Sequence, residues 1–102
     1  PELRLQLLRA RVHAIHSVLF THYHADHLMG LDDLRPVGKI IGGPVPLYCT
    51  GEVEGKIRKT FSYAFDHEVE GLARGWVPNL CFRRIDETPF EVLGESVTPI
   101  AL

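Results

Sequence analysis

Four side chains that can bind a transition metal lie within six consecutive positions of this sequence. They are His22, His24, Asp26 and His27, and the mostly apolar residues 17–20 come directly before them. Imidazole and carboxylate donors favour zinc, with manganese or iron as alternatives, because they mix borderline and hard ligands and include no thiolate. The cluster predicts a metal-binding loop that activates water. The plainer interpretation is a polar loop of solvated histidines after a strand.

The spacing of these residues separates them into two pairs. His22 and His24 would lie on opposite sides of a helix, but on an extended segment they point the same way and suit one ion. Asp26 and His27 are neighbours that follow once the chain has begun to turn, so they can face a second ion. Asp26 is also the predicted catalytic residue, because its carboxylate can orient the attacking water. The pattern therefore predicts two divalent ions, zinc first and manganese as the alternative.

Composition limits the class of protein. With 102 residues, 45% hydrophobic and 24% charged, the chain suits one domain at most. A net charge of -2 and a pI near 6.3 argue against nucleic acid as a favoured partner, although a local basic groove stays open. Since neither a bilayer-spanning run nor a signal-peptide layout is present, we expect a soluble chain with no membrane partner. Cys49 and Cys81 match no zinc-ligand spacing and are expected to be buried thiols rather than a disulfide, which favours a cytoplasmic protein.

The elements before the cluster are a helix and a strand. Apolar residues at helical spacing predict an amphipathic helix over residues 2–15. Its apolar face consists of Leu5, Leu8, Val12 and Ile15. Residues 17–21 predict a short strand that is buried on both faces, as in a parallel sheet. His13 and His16 lie outside the cluster and are expected to have surface or packing roles.

The elements after the cluster alternate in type. Leucines after His27 predict a short helix that Pro36 ends, followed by a loop over residues 37–46 and a strand over residues 45–49. Asp32 and Asp33 are interpreted either as groups that orient the site or as solvated carboxylates. Thr50 is the predicted N-cap of a second amphipathic helix, whose apolar positions are Val53, Ile57, Phe61 and Ala64 or Phe65.

Two polar groups on or after the second helix offer further chemistry. Lys56, Arg58 and Lys59 form either a solvated face or a phosphate contact. Asp66, His67 and Glu68 follow the helix end without a partner at useful spacing, so extra ligands there are not favoured. Strands are then predicted over residues 80–85, 90–93 and 97–102, with a turn at Gly94 and Glu95. The order of helices and strands predicts an α/β layer arrangement.

Residues 20–27, Phe-Thr-His-Tyr-His-Ala-Asp-His, resemble the metal-binding loop of the metallo-β-lactamase superfamily. Residues 30–36, Gly-Leu-Asp-Asp-Leu-Arg-Pro, resemble the branch of cyclic-phosphate phosphodiesterases and, more distantly, the tRNA 3′-processing nucleases. The resemblance implies His22 and His24 as ligands of a first ion and Asp26 and His27 as ligands of a second. It also implies a four-layer αβ/βα sandwich and hydrolysis by metal-activated water, with a small phosphate ester as substrate.

The sequence also departs from that family. Members carry a third histidine for the first ion, a bridging aspartate and a last histidine, and the one histidine after His27 is His67. We therefore expect residues 1–102 to be a single incomplete domain, roughly the N-terminal half of the sandwich and truncated at both ends. The alternatives are a non-catalytic metal-binding remnant, a half-domain that needs a partner chain, or, among enzymes, a thioester or lactam hydrolase. Exposed apolar residues between Leu80 and Leu93 predict self-association.

Overall fold

The protein is an α/β structure in this computed structural model, which describes residues 3–65 and 77–101. Three parallel strands form a sheet in the order β1-β2-β3, and an antiparallel hairpin, β4-β5, follows it. The strands are β1 Val18–Leu19, β2 Val45–Cys49, β3 Leu80–Arg84, β4 Phe90–Val92 and β5 Glu95–Val97. The helices are α1 Leu3–Arg9, α2 Ala25–Leu28, α3 Arg35–Ile41 and α4 Gly51–Thr60, with short 3-10 helices at Leu31–Leu34 and Ser62–Ala64. The predicted α/β class is confirmed.

The two faces of the sheet are covered unequally. On β2, Val45, Leu47 and Cys49 are completely buried, whereas Pro46 and Tyr48 between them are partly exposed. Because alternate residues of a strand point to opposite faces, the buried core lies on one face only. On the other face the ring of Phe90 in β4 stacks on Tyr48, with centroids 5.1 Å apart and 14° between the planes.

The core consists of aliphatic and aromatic side chains from β2 and the helical segments that cover it. Leu34, Val45, Leu47 and Ile57 are among the largest side chains that are completely buried. The remaining core residues are Leu28, Leu31, Val37, Cys49, Val53 and Phe61. Burying one such aliphatic or aromatic side chain contributes about 1.5–3 kcal/mol, and Leu28 and Leu31 bring the segment after the histidine cluster into this core.

Helix α4 begins as the sequence predicts. Thr50 has extended backbone angles, and its hydroxyl accepts a hydrogen bond from the Val53 N–H at 3.4 Å, so it is the N-cap. The buried residues Val53, Ile57 and Phe61 lie on one face of the helix and confirm the predicted apolar positions. The α-helix ends at Thr60, and a 3-10 turn continues it to Ala64.

The segment around Pro36 differs from the prediction. Pro36 stands in the first turn of α3 rather than ending a helix, and residues predicted as loop form α3 as far as Ile41. Proline is tolerated in a first helical turn because the N–H that it lacks would have no partner there. The helix ends at Gly42, which takes a left-handed backbone conformation with φ of 75°. The strand predicted over residues 45–49 is confirmed as β2.

The first helix and strand are shorter and more exposed than predicted. Helix α1 ends at Arg9, and the backbone turns at Arg11, whose φ is 55°. The N–H groups of Arg11 and Val12 donate to the carbonyls of Leu8 and Leu7, the pairing of a Schellman motif. Strand β1 has two residues, and Leu19 is 44% exposed because it pairs with Tyr48 and shares the face of the sheet opposite the core. The predicted burial of β1 on both faces is therefore wrong.

The prediction that α1 buries its apolar face is also wrong. Leu5, Leu8 and Val12 are 49%, 65% and 43% exposed, and only Ile15 of the predicted set packs against the core. Leu3, at the start of α1, makes the close contact instead: its Cβ lies 2.9 Å from the position that a Cβ on Gly30 would take. A side chain at position 30 would therefore displace α1.

The last strands form a hairpin whose turn is one residue earlier than predicted. Val92 pairs with Glu95, so Leu93 and Gly94 are the two turn residues, and both have positive φ, 52° and 79°. Two positive φ values define a type I′ turn, which matches the twist of the flanking strands. The strand predicted over residues 97–102 is wrong, because β5 is Glu95–Val97 and residues 98–101 are not in a strand.

Both cysteines are free thiols, as expected. Cys49 is buried in β2, as expected, whereas the expected burial of Cys81 is wrong, because this residue is partly exposed in β3. Burial, with a smaller contribution from Glu54, raises the pKa of the Cys49 thiol to about 11. Residues 66–68, considered above as extra ligands, lie outside the described residues. Within residues 3–65 and 77–101, every helix is too short or too polar to cross a bilayer.

Candidate metal centre

The histidine cluster lies at the carboxyl end of β1. The Phe20 N–H donates to the Tyr48 carbonyl at 2.9 Å, so pairing with β2 continues one residue beyond β1. The chain then leaves the sheet at Thr21. Open α/β sheets bind ligands outside the carboxyl ends of their strands, because the loops that converge there are free of the packing that fixes the sheet. The structure therefore places the cluster where a functional site is expected in this fold class.

Helix α2 fixes the second half of the cluster. His24 is its N-cap residue, and the His24 carbonyl accepts hydrogen bonds from the N–H groups of His27 at 2.9 Å and Leu28 at 3.2 Å. Leu28 is 3% exposed and holds this turn against the core. His24 has extended backbone angles and α2 begins at Ala25, so the chain has begun to turn before Asp26 and His27, as the sequence predicts.

Three of the four predicted ligands converge. His22, Asp26 and His27 each offer one donor atom, and these atoms lie within 4.8 Å of one another. The His27 Nε2 is 3.3 Å from the Asp26 Oδ2, and the ring centroids of His22 and His27 are 3.9 Å apart. The side chains of His27 and Asp26 are 42% and 74% exposed. The group is open to solvent and to a ligand.

The spacing of these donors suits a divalent ion. Zinc bonds of about 2.1 Å place tetrahedral ligand atoms about 3.4 Å apart, so shifts of about an ångström or less would bring all three donors onto one ion. Thr21 assists, because its Oγ1 is 2.9 Å from the His22 Nδ1. That contact orients the ring and leaves Nε2 available, an arrangement common for histidine ligands. Two imidazoles and a carboxylate thus fit zinc or a similar ion at this position.

His24, the fourth predicted ligand, lies outside that group of three. Its ring meets the edge of His22, with centroids 4.7 Å apart, and packs against Tyr23 at 5.8 Å. His24 is exposed, and its backbone rather than its imidazole contributes to the loop, through the cap of α2. The pairing of His22 with His24 on a first ion and of Asp26 with His27 on a second stays a prediction.

Asp32 and Asp33 have structural partners. The Tyr63 hydroxyl donates to Asp32 Oδ1 at 2.8 Å, and the Arg35 Nε lies 3.4 Å from Asp32 Oδ2. Partial burial, and then the hydrogen bond to Asp32, raises the pKa of Tyr63 to about 12. Asp33 Oδ2 accepts the Arg4 N–H at 3.1 Å, which ties α1 to the 3-10 helix. Both carboxylates therefore connect elements of the fold around the loop.

A cavity of about 140 Å³ lies behind the loop. Asp26 and His27 contribute to its wall, and most of the other lining residues are apolar. They are Leu3, Val18, Phe20, Gly30, Leu31 and Leu34, with Gln6 as the polar exception. The sequence did not predict this cavity, because its walls come from four separate elements, α1, β1, α2 and the 3-10 helix, whose packing a local pattern does not show.

Known proteins of two kinds are similar to this chain. A solved structure described as a new diphosphatase from the PhnP family superposes with a TM-score of 0.78 and 31% sequence identity, over 97% of this chain and 36% of that one. An octanoyltransferase of Porphyromonas gingivalis is 37% identical over 103 residues, which span the whole of this chain and 20% of that protein. The chain therefore corresponds to about a third of the first protein and a fifth of the second.

A family model described as a beta-lactamase superfamily domain matches residues 1–102. The fold supports the same assignment, because the α/β arrangement superposes on part of a solved member of the PhnP family. The candidate metal-ligand cluster lies at the end of β1, and the structure brings three of its side chains together. The chain belongs to the β-lactamase superfamily and forms part of that fold.

Proposed function

We propose that this chain carries the metal-binding loop of a metal-dependent hydrolase that cleaves phosphoester or phosphoanhydride bonds. The observation that carries the proposal is the convergence of His22, Asp26 and His27 within 4.8 Å at the carboxyl end of β1. The preference for phosphate is supported by the resemblance of residues 30–36 to phosphodiesterases and by the similarity to a diphosphatase at 31% identity.

The side chains have separate roles in this proposal. His22 and His27 supply neutral nitrogen donors, and Asp26 supplies an oxygen donor and a negative charge. A divalent ion bound there, zinc in the first instance, supplies Lewis acidity and lowers the pKa of water. Asp26 Oδ2 faces the His27 Nε2, so Oδ1 is free to accept a hydrogen bond from a water molecule. That hydrogen bond would orient the water for attack on phosphorus, the catalytic role predicted for Asp26.

The number of donor side chains limits how many metal ions the site can bind. Catalytic zinc sites commonly use three protein ligands and leave one position open for water or substrate. The group of His22, Asp26 and His27 meets that requirement for one ion. A second ion would need His24 and donors beyond this group, so the two-ion arrangement stays a separate part of the proposal.

Thioester hydrolysis is the second candidate function. The similarity to a protein named an octanoyltransferase, at 37% identity, supports it, because that name denotes an acyl substrate and activated water can attack an acyl carbon as well as phosphorus. The name of that relative belongs to a protein five times longer than the match, so the phosphate proposal ranks first. Metal binding without turnover is the outcome expected of a non-catalytic domain.

The experiment combines metal analysis with two substrates. Purified protein is loaded with zinc or manganese, its metal content is measured, and hydrolysis of bis-p-nitrophenyl phosphate is compared with hydrolysis of an octanoyl thioester. The proposal predicts bound metal and turnover of the phosphodiester that EDTA removes. Asp26→Asn should lower the rate at least a hundredfold. His16→Ala is the matched control, because His16 is exposed and outside the cluster.

The outcomes separate the candidates. Turnover of the thioester without turnover of the phosphodiester would favour the second function. Stoichiometric metal without turnover of either substrate would favour a non-catalytic metal-binding domain. A protein that retains no divalent metal, or whose phosphodiester turnover survives Asp26→Asn and EDTA, would contradict the proposal itself.

A further inference from the structure

One lysine contacts the metal-binding loop, residues 20–27, from another element of the fold. Helix α4 starts at the carboxyl end of β2, and β2 lies parallel to β1, so the first turns of α4 stand beside the loop that follows β1. The Lys56 Nζ lies 5.2 Å from the ring centroid of Tyr23. Tyr23 separates His22 from His24 in the sequence, and its ring packs against His24 at 5.8 Å. The Tyr23 ring therefore lies between the ammonium group and His24, which neighbours the group of His22, Asp26 and His27.

Three arginines of the described residues have carboxylate partners. The Arg58 Nε donates to Glu54 Oε2 at 3.0 Å, and the Arg84 Nη2 is 3.7 Å from Glu54 Oε1. Arg35 is paired with Asp32 at 3.4 Å. These contacts reduce the positive charge that each guanidinium can offer to a further anion.

Lys56 differs from these arginines. Its contact within residues 3–65 and 77–101 is the face of the Tyr23 ring, and it forms no ion pair there. A cation–π contact of this kind is attractive even at an exposed site, so it biases the side chain toward the loop. The ammonium group has three N–H donors, and a ring face cannot accept all of them, so N–H donors stay available for a hydrogen bond to an anion.

We propose that Lys56, held toward the loop by Tyr23, binds the anionic phosphoryl group of the substrate beside the metal-ligand cluster. This inference rests on the proposed function and adds a specificity-determining residue to it. Lysine suits the role because its ammonium is a compact point charge that binds phosphate without a fixed geometry. A nearby cation is also needed because the carboxylate of Asp26 would repel an anionic substrate. The positive charge of Lys56 would offset that repulsion.

The first test separates substrate binding from the chemical step. Lys56→Gln should raise the KM for bis-p-nitrophenyl phosphate roughly fivefold to tenfold and leave kcat within about twofold, because an exposed charged hydrogen bond is lost. Lys56→Arg should restore most of the KM. Lys59→Gln is the matched control: it removes the same charge from the same helix, so a general effect of net charge would appear in both variants. An unchanged KM for Lys56→Gln, or an equal change in Lys59→Gln, would overturn the inference.

The second test does not need turnover. Inorganic phosphate is titrated into the metal-free chain, and amide shifts of residues 22–24 and 55–57 are followed by NMR. Saturable shifts that weaken at least threefold in Lys56→Gln and persist in Lys59→Gln would support the inference even if no substrate is hydrolysed, in which case the proposed function alone has failed. The inference would be overturned if the wild-type protein gave no saturable shifts at these residues. It would also be overturned if Lys56→Gln left phosphate binding unchanged. Both outcomes hold whatever the hydrolysis assay shows.

Discussion

The stabilisation of the fold by zinc should depend on His27 more than on His24. The structure groups His27 with His22 and Asp26 within 4.8 Å and leaves His24 outside that group, whereas the pairing implied by family resemblance makes His24 a ligand of the first ion. The two arrangements predict different results for His27→Ala and His24→Ala. Each variant is measured against itself with and without zinc, so any direct effect of the substitution on the fold cancels.

The magnitude follows from linkage. Zinc at 100 times its Kd stabilises the folded state by about 2.7 kcal/mol. An unfolding entropy of about 2.1 cal/mol/K per residue over 102 residues makes about 0.21 kcal/mol/K, so the Tm should rise by about 13 °C. Structural zinc sites with four ligands bind with about 10–16 kcal/mol, about 3 kcal/mol per ligand, so losing one ligand weakens binding at least a hundredfold. The same zinc concentration then equals the Kd, and the shift falls to about 2 °C.

Thermal unfolding followed by circular dichroism, with isothermal titration as a second readout, makes the comparison. Wild-type protein and the control His16→Ala should both gain about 13 °C with zinc, by the linkage above. His27→Ala should gain about 2 °C, and His24→Ala should keep most of the gain. A His24→Ala variant that loses as much stabilisation as His27→Ala would refute the three-residue grouping and favour the pairing of His22 with His24.

Three further predictions concern the fold around the site. Leu93 has a φ of 52° and is 73% exposed, so Leu93→Asn should raise the free energy of unfolding by about 0.5–1 kcal/mol in urea titrations, and a decrease would contradict the turn assignment. Folding raises the pKa of Cys49 from 9.0 to about 11, so this thiol contributes to the free energy of unfolding below pH 9, and that contribution should be lost as the pH rises from 9 through 11. Cys49→Ala should remove this part of the pH dependence. Leu5 and Leu8 are 49% and 65% exposed on α1, so sedimentation velocity should show association at high concentration that Leu8→Lys reduces more than Ile40→Lys does. A monomer at every concentration would refute that proposal.

Sequence alone predicts the elements whose signals are local. The strand over residues 45–49 and the cap at Thr50 are both found where predicted, because an apolar run followed by a capping residue needs no partner elsewhere in the chain to be identified. The apolar positions Val53, Ile57 and Phe61 are confirmed for the same reason, since one face of α4 repeats at helical spacing. The donors His22, Asp26 and His27 also meet because their spacing and the turn at Ala25 are properties of one short segment.

Elements whose identity depends on context were predicted less well. Proline is compatible with the first turn of a helix and incompatible with its interior, so Pro36 alone does not say whether a helix ends or begins there. The informative signal was Gly42, whose left-handed conformation ends α3. Arg11 gives no such signal, because a non-glycine residue seldom takes a positive φ, yet it ends α1 in that conformation. The helix pattern therefore continued past the true end.

Predicting which apolar residues are exposed requires the register of the sheet. Leu80 and Phe82 were expected to be uncovered, but they pair with Val45 and Leu47 and pack on the covered face of the sheet. Of that predicted region, Leu93 is the large apolar residue that is strongly exposed. The exposed apolar side chains instead include Leu5, Leu8 and Leu19. A strand pattern shows which residues share a face, but only pairing with a neighbour shows which face the helices cover.

The segment between Phe20 and Leu28, which carries the metal-ligand cluster, is anchored to the fold at both ends. Before it, the Phe20 N–H is bonded to the Tyr48 carbonyl at 2.9 Å, and after it Leu28 is 3% exposed in the core. Because both ends are fixed by the fold, the backbone positions of His22 and His27 are largely set before an ion arrives. The exposed side chains lose mainly rotamer freedom on binding, at a cost of about 1 kcal/mol each or less, instead of the larger cost of ordering a backbone. Zinc should therefore stabilise the protein without changing its secondary structure, and the three donors need only small rotations to reach one ion.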